Sequence, residues 1–275
     1  MNTIIMSKIS RRKFIKRSIL ASISIFLLDI FWFEKSVIKW NKFDVSNGNN
    51  QKITAIQLSD LHLTKVNRTH RLIAKKINKL NPDLVFITGD AIDDAQNLNL
   101  LDAFLKLINK DIKKFAILGN WEYWGHVDLV RLNELYKSHN CQLLVNESEQ
   151  IKIKERNISI IGIDDFVGGN ADYKKAINNL IPNETNIVLT HCPQHRDIIE
   201  TEKGNLKIDL VLSGHTHGGQ INILGYAPFK PQGSGNYLSG WYKENDPILY
   251  VSKGIGTSIL PIRFGARAEI AIFKI

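Results

Sequence analysis

The stretch DLVFITGDAIDD, residues 83–94, joins a run of apolar and β-branched residues to a glycine and then to aspartates. A short continuous apolar run bounded by turn residues predicts a strand buried on both faces, as in a parallel sheet. Ligands bind beyond the carboxyl ends of strands in open α/β sheets. Asp90 and Asp93 therefore stand where a functional site would form.

The same pattern recurs on both sides of this stretch. Further apolar runs that predict strands cover 53–59, 114–119, 186–191 and 208–215. Segments with apolar residues at helical spacing cover 66–80, 98–108, 127–139 and a region near 171–180. The tail at 248–254 and 266–274 also predicts strands. Strands alternating with amphipathic helices predict an α/β fold whose sheet faces are both covered, and residues 53–275 are expected to form one domain.

Five of the predicted strands end in side chains that can bind a metal ion. In chain order, these residues are Asp60, His62, Asp90, Asn120, His191, His215 and His217. One histidine at a strand end is usually structural, but five such ends together favour a metal site. The mixture of imidazole, carboxylate and amide, without thiolate, suits Mn, Fe or Zn. Seven ligands are too many for one tetrahedral ion, so two divalent metal ions are predicted.

The motifs D-x-H (60–62), G-D-x-x-D (89–93), G-N-x-E (119–122), T-H (190–191) and G-H-x-H (214–217) resemble those of the calcineurin-like metallophosphoesterases. The resemblance spans residues 53–275. GHTHGGQ (214–220) and the tail VSKGIGTSILPIRFGARAEI (251–270) are similar to the YkuE/YaeI-type bacterial branch. The resemblance to this family implies two mixed β-sheets packed face to face and flanked by helices, in a four-layer sandwich.

The resemblance also implies a role for each ligand. Asp60, His62 and His217 would hold one metal ion, and Asn120, His191 and His215 would hold the other. Asp90 would bridge the two ions, and a bridging hydroxide would attack the phosphorus of a phosphoric ester or anhydride. The expected activity is that of a dinuclear metal-dependent phosphoesterase.

Trp121 departs from the family pattern, in which a histidine commonly follows Gly-Asn. That histidine, oriented by the aspartate equivalent to Asp93, assists the leaving group as a general acid. An indole N–H donates a hydrogen bond but cannot release a proton at neutral pH. Asp90, Asp93 and Trp121 are the expected catalytic residues, with Asp93 paired to another donor such as the indole. His126 or His195 could instead supply the proton.

The missing histidine favours substrates whose leaving group departs without a proton. The prediction is a phosphodiester or pyrophosphate of lipidic character. The UDP-2,3-diacylglucosamine pyrophosphatases of lipid A biosynthesis, in the same superfamily, also lack the histidine. The alternatives are a broad phosphomonoesterase and an inactive metal-binding protein of the cell envelope.

The N-terminal region has the composition of a targeting signal. SRRKFIK (10–16) closely resembles a twin-arginine export signal, and the apolar stretch 18–33 follows it. Residues 1–40 are therefore predicted to be a signal or membrane anchor, and 41–52 a polar linker. The body is expected outside the cytoplasm, with the export machinery as a partner. A positive-inside anchor that leaves the body on the cytoplasmic face is the alternative.

The net charge of +9 is concentrated in this N-terminal region, which carries eight Lys or Arg and two Asp or Glu. The rest of the chain lacks a basic stripe with interleaved aromatics, so nucleic acid is not an expected partner. The two cysteines do not form a zinc motif or a disulfide framework.

The longest segment without a predicted element is 225–246. It holds the aromatic residues Tyr226, Phe229, Tyr237, Trp241 and Tyr242. Loops of this length are usually functional, so it predicts either a lid or a rim that contacts a membrane. The alternative is a surface loop with packed aromatics.

Overall fold

The computed structural model describes residues 10–46, 48, 51–183 and 185–275. The strands are β1 (Lys39–Asp44), β2 (Thr54–Leu58), β3 (Leu84–Thr88), β4 (Lys113–Ile117), β5 (Cys141–Leu143), β6 (Glu147–Ile153), β7 (Arg156–Gly162), β8 (Thr185–Leu189), β9 (Leu210–Ser213), β10 (Gly240–Tyr242), β11 (Leu249–Val251) and β12 (Glu269–Lys274). The α-helices are α1 (Arg11–Leu28), α2 (Glu34–Ser36), α3 (Arg68–Leu80), α4 (Leu98–Leu105), α5 (Asn120–Trp124), α6 (Leu129–Ser138), α7 (Tyr173–Ile177) and α8 (His195–Glu202).

The strands form two mixed sheets of six. The first sheet has the order β1-β12-β2-β3-β4-β5, and the second has the order β10-β11-β9-β8-β7-β6. Strands β2 to β5 are parallel to one another, as are β7, β8, β9 and β11. The predicted fold class, α/β with two mixed sheets flanked by helices, is confirmed.

Three hydrophobic layers hold these elements together. The inner layer lies between the two sheets and includes Phe86, Phe115 and Ile187. An outer layer joins the first sheet to α3, α4 and α6, and another joins the second sheet to α7 and α8. Because both faces of β3 and β8 are covered, every residue of these two strands is buried. This burial explains why Leu84–Ile87 and Ile187–Leu189 are continuous apolar runs rather than alternating ones.

The segment predicted as a linker, 41–52, contains part of an edge strand. Strand β1 pairs in parallel with β12, in the register Lys39 with Glu269. The Asn41 side chain donates a hydrogen bond to Glu269 at 2.8 Å, which fixes that register. The polar, half-exposed sequence KWNKFD fits an edge strand, and its pairing partner lies at the far end of the chain. Residues 47, 49 and 50 of the predicted linker lie outside the described residues.

The N-terminal helix ends in contacts with the body. Ser10 caps α1, whose side chains are all exposed, and a π-helical turn (Asp29–Phe33) joins it to α2. Ala266 and Ala268 donate backbone hydrogen bonds to Glu34, at 2.9 and 2.8 Å. Across the described residues, none of the helices is both long enough and apolar enough to cross a bilayer. Residues 1–9 of the predicted signal lie outside the described residues.

The aromatic segment 225–246 is only partly a surface loop. Trp241 lies in β10 and packs edge-on against Phe43, with ring centroids 5.2 Å apart. Tyr237 is buried, and its hydroxyl donates a hydrogen bond to Asp197. Tyr226 and Phe229 remain exposed. The prediction of a lid over the whole segment is therefore wrong, because most of its aromatics pack into the second sheet and its helix α8.

Candidate metal centre

The predicted ligands all follow strands at one edge of the two sheets. Asp60 and His62 follow β2, Asp90 follows β3, and Asn120 begins α5 after β4. In the second sheet, His191 follows β8, and His215 and His217 follow β9. Since β2, β3 and β4 are adjacent, as are β8 and β9, the strand order gathers the turns within each sheet, and the packing of the two sheets brings both groups together. The backbone ladder continues into the first loop, where His62 N donates to the Asp90 carbonyl at 3.0 Å.

Six of the seven side chains form two buried triads. The ligand atoms of Asp60, His62 and His217 lie within 4.8 Å of one another, and so do those of Asp90, His191 and His215. Asp90 Oδ2 is 3.1 Å from His191 Nε2 in its own triad and 3.7 Å from His62 Nε2 in the other. This carboxylate therefore lies between the two triads, where a bridging ligand is expected.

Asn120, the seventh predicted ligand, is also buried at this site. Its Oδ1 has no hydrogen-bond partner. Leaving a buried polar atom unpaired usually costs about 1–3 kcal/mol, which a bound cation would offset. This unpaired amide oxygen fits a divalent ion at the site.

Three of the histidines have one ring nitrogen paired with a protein acceptor. His191 Nδ1 lies 2.8 Å from the Thr88 carbonyl, and His215 Nε2 lies 2.6 Å from the Gln232 carbonyl. His62 Nδ1 contacts the Asp93 carboxylate. Metal-binding histidines commonly donate their second ring N–H to such acceptors, which fixes the ring and leaves the other nitrogen for the metal.

The backbone at the ligands is held in an unfavourable conformation. Five of the seven ligand residues have positive φ: Asp60 (51°), His62 (44°), Asp90 (51°), His215 (73°) and His217 (52°). Each such residue costs roughly 1–3 kcal/mol and persists only where the surrounding structure holds it. Their concentration at one edge of the sheets is typical of a functional site.

Two glycines allow the strand ends to approach closely. A Cβ at Gly119 would lie 2.2 Å from Asp90 Oδ1, and one at Gly89 would lie 2.4 Å from His191 Nδ1. Any side chain at either position would displace a ligand of the second triad. The glycines of G-D and G-N therefore serve the geometry of the ligands as well as the turns.

Charge and burial act together on the ligands. Burial alone would raise the pKa of Asp90, but the adjacent His191 imidazole lowers it to about 2. Burial lowers the pKa of His217 well below its usual value, and the neighbouring His62 adds to the effect. Asp90 is thus held as an anion and His217 as a neutral imidazole, which are the forms that bind metal.

Glu122 supports the site, although no role was predicted for it. Its carboxylate accepts hydrogen bonds from Gly119 N at 2.8 Å, Asp90 N at 3.1 Å and Ala91 N at 2.6 Å. Burial raises the pKa of this carboxyl to about 7. Glu122 therefore fixes the two ligand-bearing loops to each other. Its place in Gly-Asn-x-Glu was the only signal of this role.

Asp93 and Trp121 differ from the expectation in their partners. Asp93 contacts His62 Nδ1, so it orients a ligand of the first triad and does not pair with the Trp121 indole. The Trp121 ring lies edge-on to His62, 6.1 Å away, and its backbone N–H donates to Asp90 Oδ1 at 2.9 Å. The sequence could not show this pairing, because it depends on how two separate loops pack.

The two alternative proton donors, His195 and His126, differ in burial. His195 is buried at the start of α8, where its ring lies 5.4 Å from that of Phe166. Burial lowers its pKa. His126 is exposed after α5.

Two buried ligand clusters with the Asp90 carboxylate between them, at the common edge of two mixed sheets, are typical of a dinuclear metal-dependent hydrolase. Comparison with known sequences gives the family directly. Residues 53–219 match the calcineurin-like phosphoesterases, and the chain belongs to this family. It is therefore a metal-dependent phosphoester hydrolase whose site suits two divalent ions.

Relatives agree with this assignment. The metallophosphoesterase YkuE of Bacillus subtilis is 30% identical over 80% of this chain and 78% of its own length. A transmembrane protein with a metallophosphoesterase domain from Bos taurus is 31% identical, over 81% of this chain and 52% of that protein. A solved dimetal phosphatase from Danio rerio aligns with 81% of this chain and 98% of its own, at 11% identity and a TM-score of 0.49.

Proposed function

We propose that this enzyme hydrolyses phosphodiesters or pyrophosphates whose leaving group departs without a proton. The observation that carries the proposal is Trp121, which follows the ligand Asn120 and packs against the ligand His62. General acid catalysis typically contributes 10²–10⁴-fold, and an indole cannot supply it. Phosphate and phenolate leaving groups need little of this assistance, whereas alkoxides need most of it.

The chain's own residues have defined parts in such a reaction. The two triads and Asn120 would hold the metal pair, with Mn, Fe or Zn as the proposed ions. The bound pair would supply an activated water and neutralise charge on the phosphoryl oxygens. Asp93 holds the ring of His62 in place, and Glu122 holds the Asp90 loop against the Asn120 turn.

The preference can be measured with substrates of graded leaving-group pKa. We expect kcat/KM of the Mn²⁺-loaded enzyme to fall steeply as the leaving-group pKa rises, across a pyrophosphate and a set of aryl and alkyl phosphodiesters. Trp121→His should raise the alkyl ester rate by about 10-fold or more, short of the full 10²–10⁴-fold because Asp93 is already paired with His62. Trp121→Phe, which removes the indole N–H, keeps an aromatic ring and adds no proton donor, is the control. Equal rates across the series would contradict the proposal.

We further propose that the substrate has lipidic character, like a UDP-2,3-diacylglucosamine or another envelope phosphoester. The support is a group of exposed apolar side chains close to the site. Ile223, Leu224 and Tyr226 lie in the loop that follows the ligand His217. A substrate with acyl chains would find an apolar surface beside such a site. Measuring hydrolysis of an acylated pyrophosphate against its deacylated form tests this directly, and equal kcat/KM for the two would contradict it.

We propose that the N-terminal region anchors the protein and delivers its body outside the cytoplasm through the twin-arginine machinery. The support is the motif SRRKFIK, with Arg11 and Arg12 on the exposed face of α1. A nucleotide-activated lipid precursor is made on the cytoplasmic face, so export would favour a different envelope substrate. In spheroplasts, added protease should digest the body, while a cytoplasmic protein of the same cells stays intact. Protection of the body from the protease would place it on the cytoplasmic face.

A further inference from the structure

Exposed apolar side chains are concentrated on three segments of the described chain. The first is the helical segment 14–33, in which nearly every large apolar side chain is exposed. The others are the loops 221–229 and 257–264, with exposed Ile223, Leu224, Tyr226, Phe229, Ile259 and Leu260. We call these three segments together the apolar rim. Exposed apolar patches of this extent usually mark a surface that binds a partner or a membrane.

The three segments of the apolar rim contact one another. Phe26 of the helix packs edge-on against Phe264, with ring centroids 5.4 Å apart. Phe264 forms a β-bridge with Ile221, which joins the second loop to the third. The Gln220 side chain donates to the Leu260 carbonyl at 2.9 Å. The apolar rim is therefore one continuous structure.

Backbone conformation keeps the tips of both loops pointing outward. Leu224 has φ of 52° and is fully exposed, and Ile259 has φ of 59° and is 80% exposed. Positive φ is a strained state for a bulky or β-branched residue. The loops thus hold two apolar side chains in water at a cost that contacts within the fold do not explain.

A cluster of cations lies at the end of the helix that is remote from the body. It consists of Arg11, Arg12, Lys13, Lys16 and Arg17, all of them exposed, and the first acidic residue along the helix is Asp29. A polybasic segment beside apolar surface is attracted to anionic lipid headgroups. Trp32 and Tyr226, both exposed, have the amphipathic side chains that favour a membrane interface.

We propose that the apolar rim binds the surface of an anionic phospholipid bilayer, with the loop tips and one side of the helix inserted among the headgroups. Charge complementarity selects this occupant, because a second copy of the same basic helix would repel the first. Binding of this kind scales with buried apolar area plus attraction to anionic lipid. This inference extends the proposed membrane anchoring from the N-terminal helix to two loops of the folded body, and its test is independent of export and of the choice of substrate.

The apolar rim is connected directly to the metal centre. Arg263 N donates to the Ile30 carbonyl at 3.3 Å, and its buried guanidinium lies 3.2 Å from His217 Nδ1. The second loop begins after Gln220, three residues beyond this ligand. A bilayer bound at the apolar rim would therefore place lipid headgroups beside the catalytic edge of the sheets.

The test is cosedimentation of the full-length protein with vesicles. We expect binding to vesicles of phosphatidylcholine with phosphatidylglycerol, and weaker binding to phosphatidylcholine alone. The double variant Leu224→Asn/Ile259→Asn should lower the partition coefficient on the order of tenfold or more. Asparagine tolerates positive φ, so the loops should keep their conformation. The melting temperature of this variant should not fall below that of the unaltered protein, which checks that it still folds.

The control is Val130→Asn/Ile181→Asn, which removes two exposed apolar side chains (69% and 70%) from other surfaces. Its vesicle binding should equal that of the unaltered protein. Lys13→Gln/Lys16→Gln should reduce the preference for anionic vesicles.

Equal vesicle binding by the loop and control variants would overturn the proposal. Light scattering that shows the unaltered protein as a dimer and the loop variant as a monomer, with vesicle binding retained, would also overturn it and assign the apolar rim to a second copy of the chain. A failure here leaves the hydrolytic proposal untouched, because the readout is binding.

Discussion

Replacing Asp90 by asparagine is expected to lower kcat/KM for a phosphodiester by more than about 10³-fold. Replacing a residue that only hydrogen-bonds to a metal ligand typically costs about 10–100-fold. The carboxylate is buried, lies 3.1 Å from His191 Nε2 and 3.7 Å from His62 Nε2, and is held as an anion. An amide of the same shape offers one neutral oxygen to two cations. Metal content, measured by mass spectrometry, should fall below two ions per chain.

The matched control for Asp90→Asn is Asp94→Asn. Asp94 is four residues away and caps a short 3₁₀ turn, a role that asparagine also fills. The control should retain two metal ions and nearly all of the activity. If Asp90→Asn retained two ions and more than a tenth of the activity, Asp90 would not be a bridging ligand.

Removal of metal is expected to lower the melting temperature by roughly 5–15 °C, given ligand concentrations of 100–1000 times Kd and a domain of this size. Without cations, the buried side-chain oxygen of Asn120 at this site has no hydrogen-bond partner. The positive φ of five ligands is a further cost that no metal bond then offsets. Calorimetry with a chelator, and then with excess Mn²⁺, measures the effect.

His191→Ala provides the comparison for the calorimetry. This substitution removes a ligand of the second triad, so added Mn²⁺ should raise its melting temperature by less than that of the unaltered protein. A protein whose melting temperature is the same in chelator and in Mn²⁺ would show that metal binding and folding are not coupled here.

The sequence predicted the ligand set because strand ends in parallel sheets lie at a common edge. Asp60 and Asp90 follow adjacent strands of the first sheet, and His191 follows a strand of the second, so the strand order and the face-to-face packing of the sheets bring them together. The partner of Asp93 could not be predicted in this way. Whether that carboxylate reaches His62 or the Trp121 indole depends on side-chain directions in two loops, and periodicity carries no information about them.

Elements with distant partners were the ones missed. Strand β1 is polar and half exposed, so its sequence resembles a linker until β12 is placed beside it. From the sequence, Trp241 was a candidate for contacting a membrane or forming a lid, but its ring packs against Phe43 and Tyr250. In both cases the deciding contact joins segments far apart in sequence, which local patterns cannot show.

The pairing of β1 with β12 also has a consequence for the order of events during synthesis. The hydrogen bond from Asn41 to Glu269 joins residues 228 positions apart. A nascent chain leaves the ribosome from its N-terminus, so β1 waits without a partner until the last strand emerges. The basic helix before it therefore stays undocked until β12 has been made, accessible to any targeting factor, and settles on the body only after that strand has emerged.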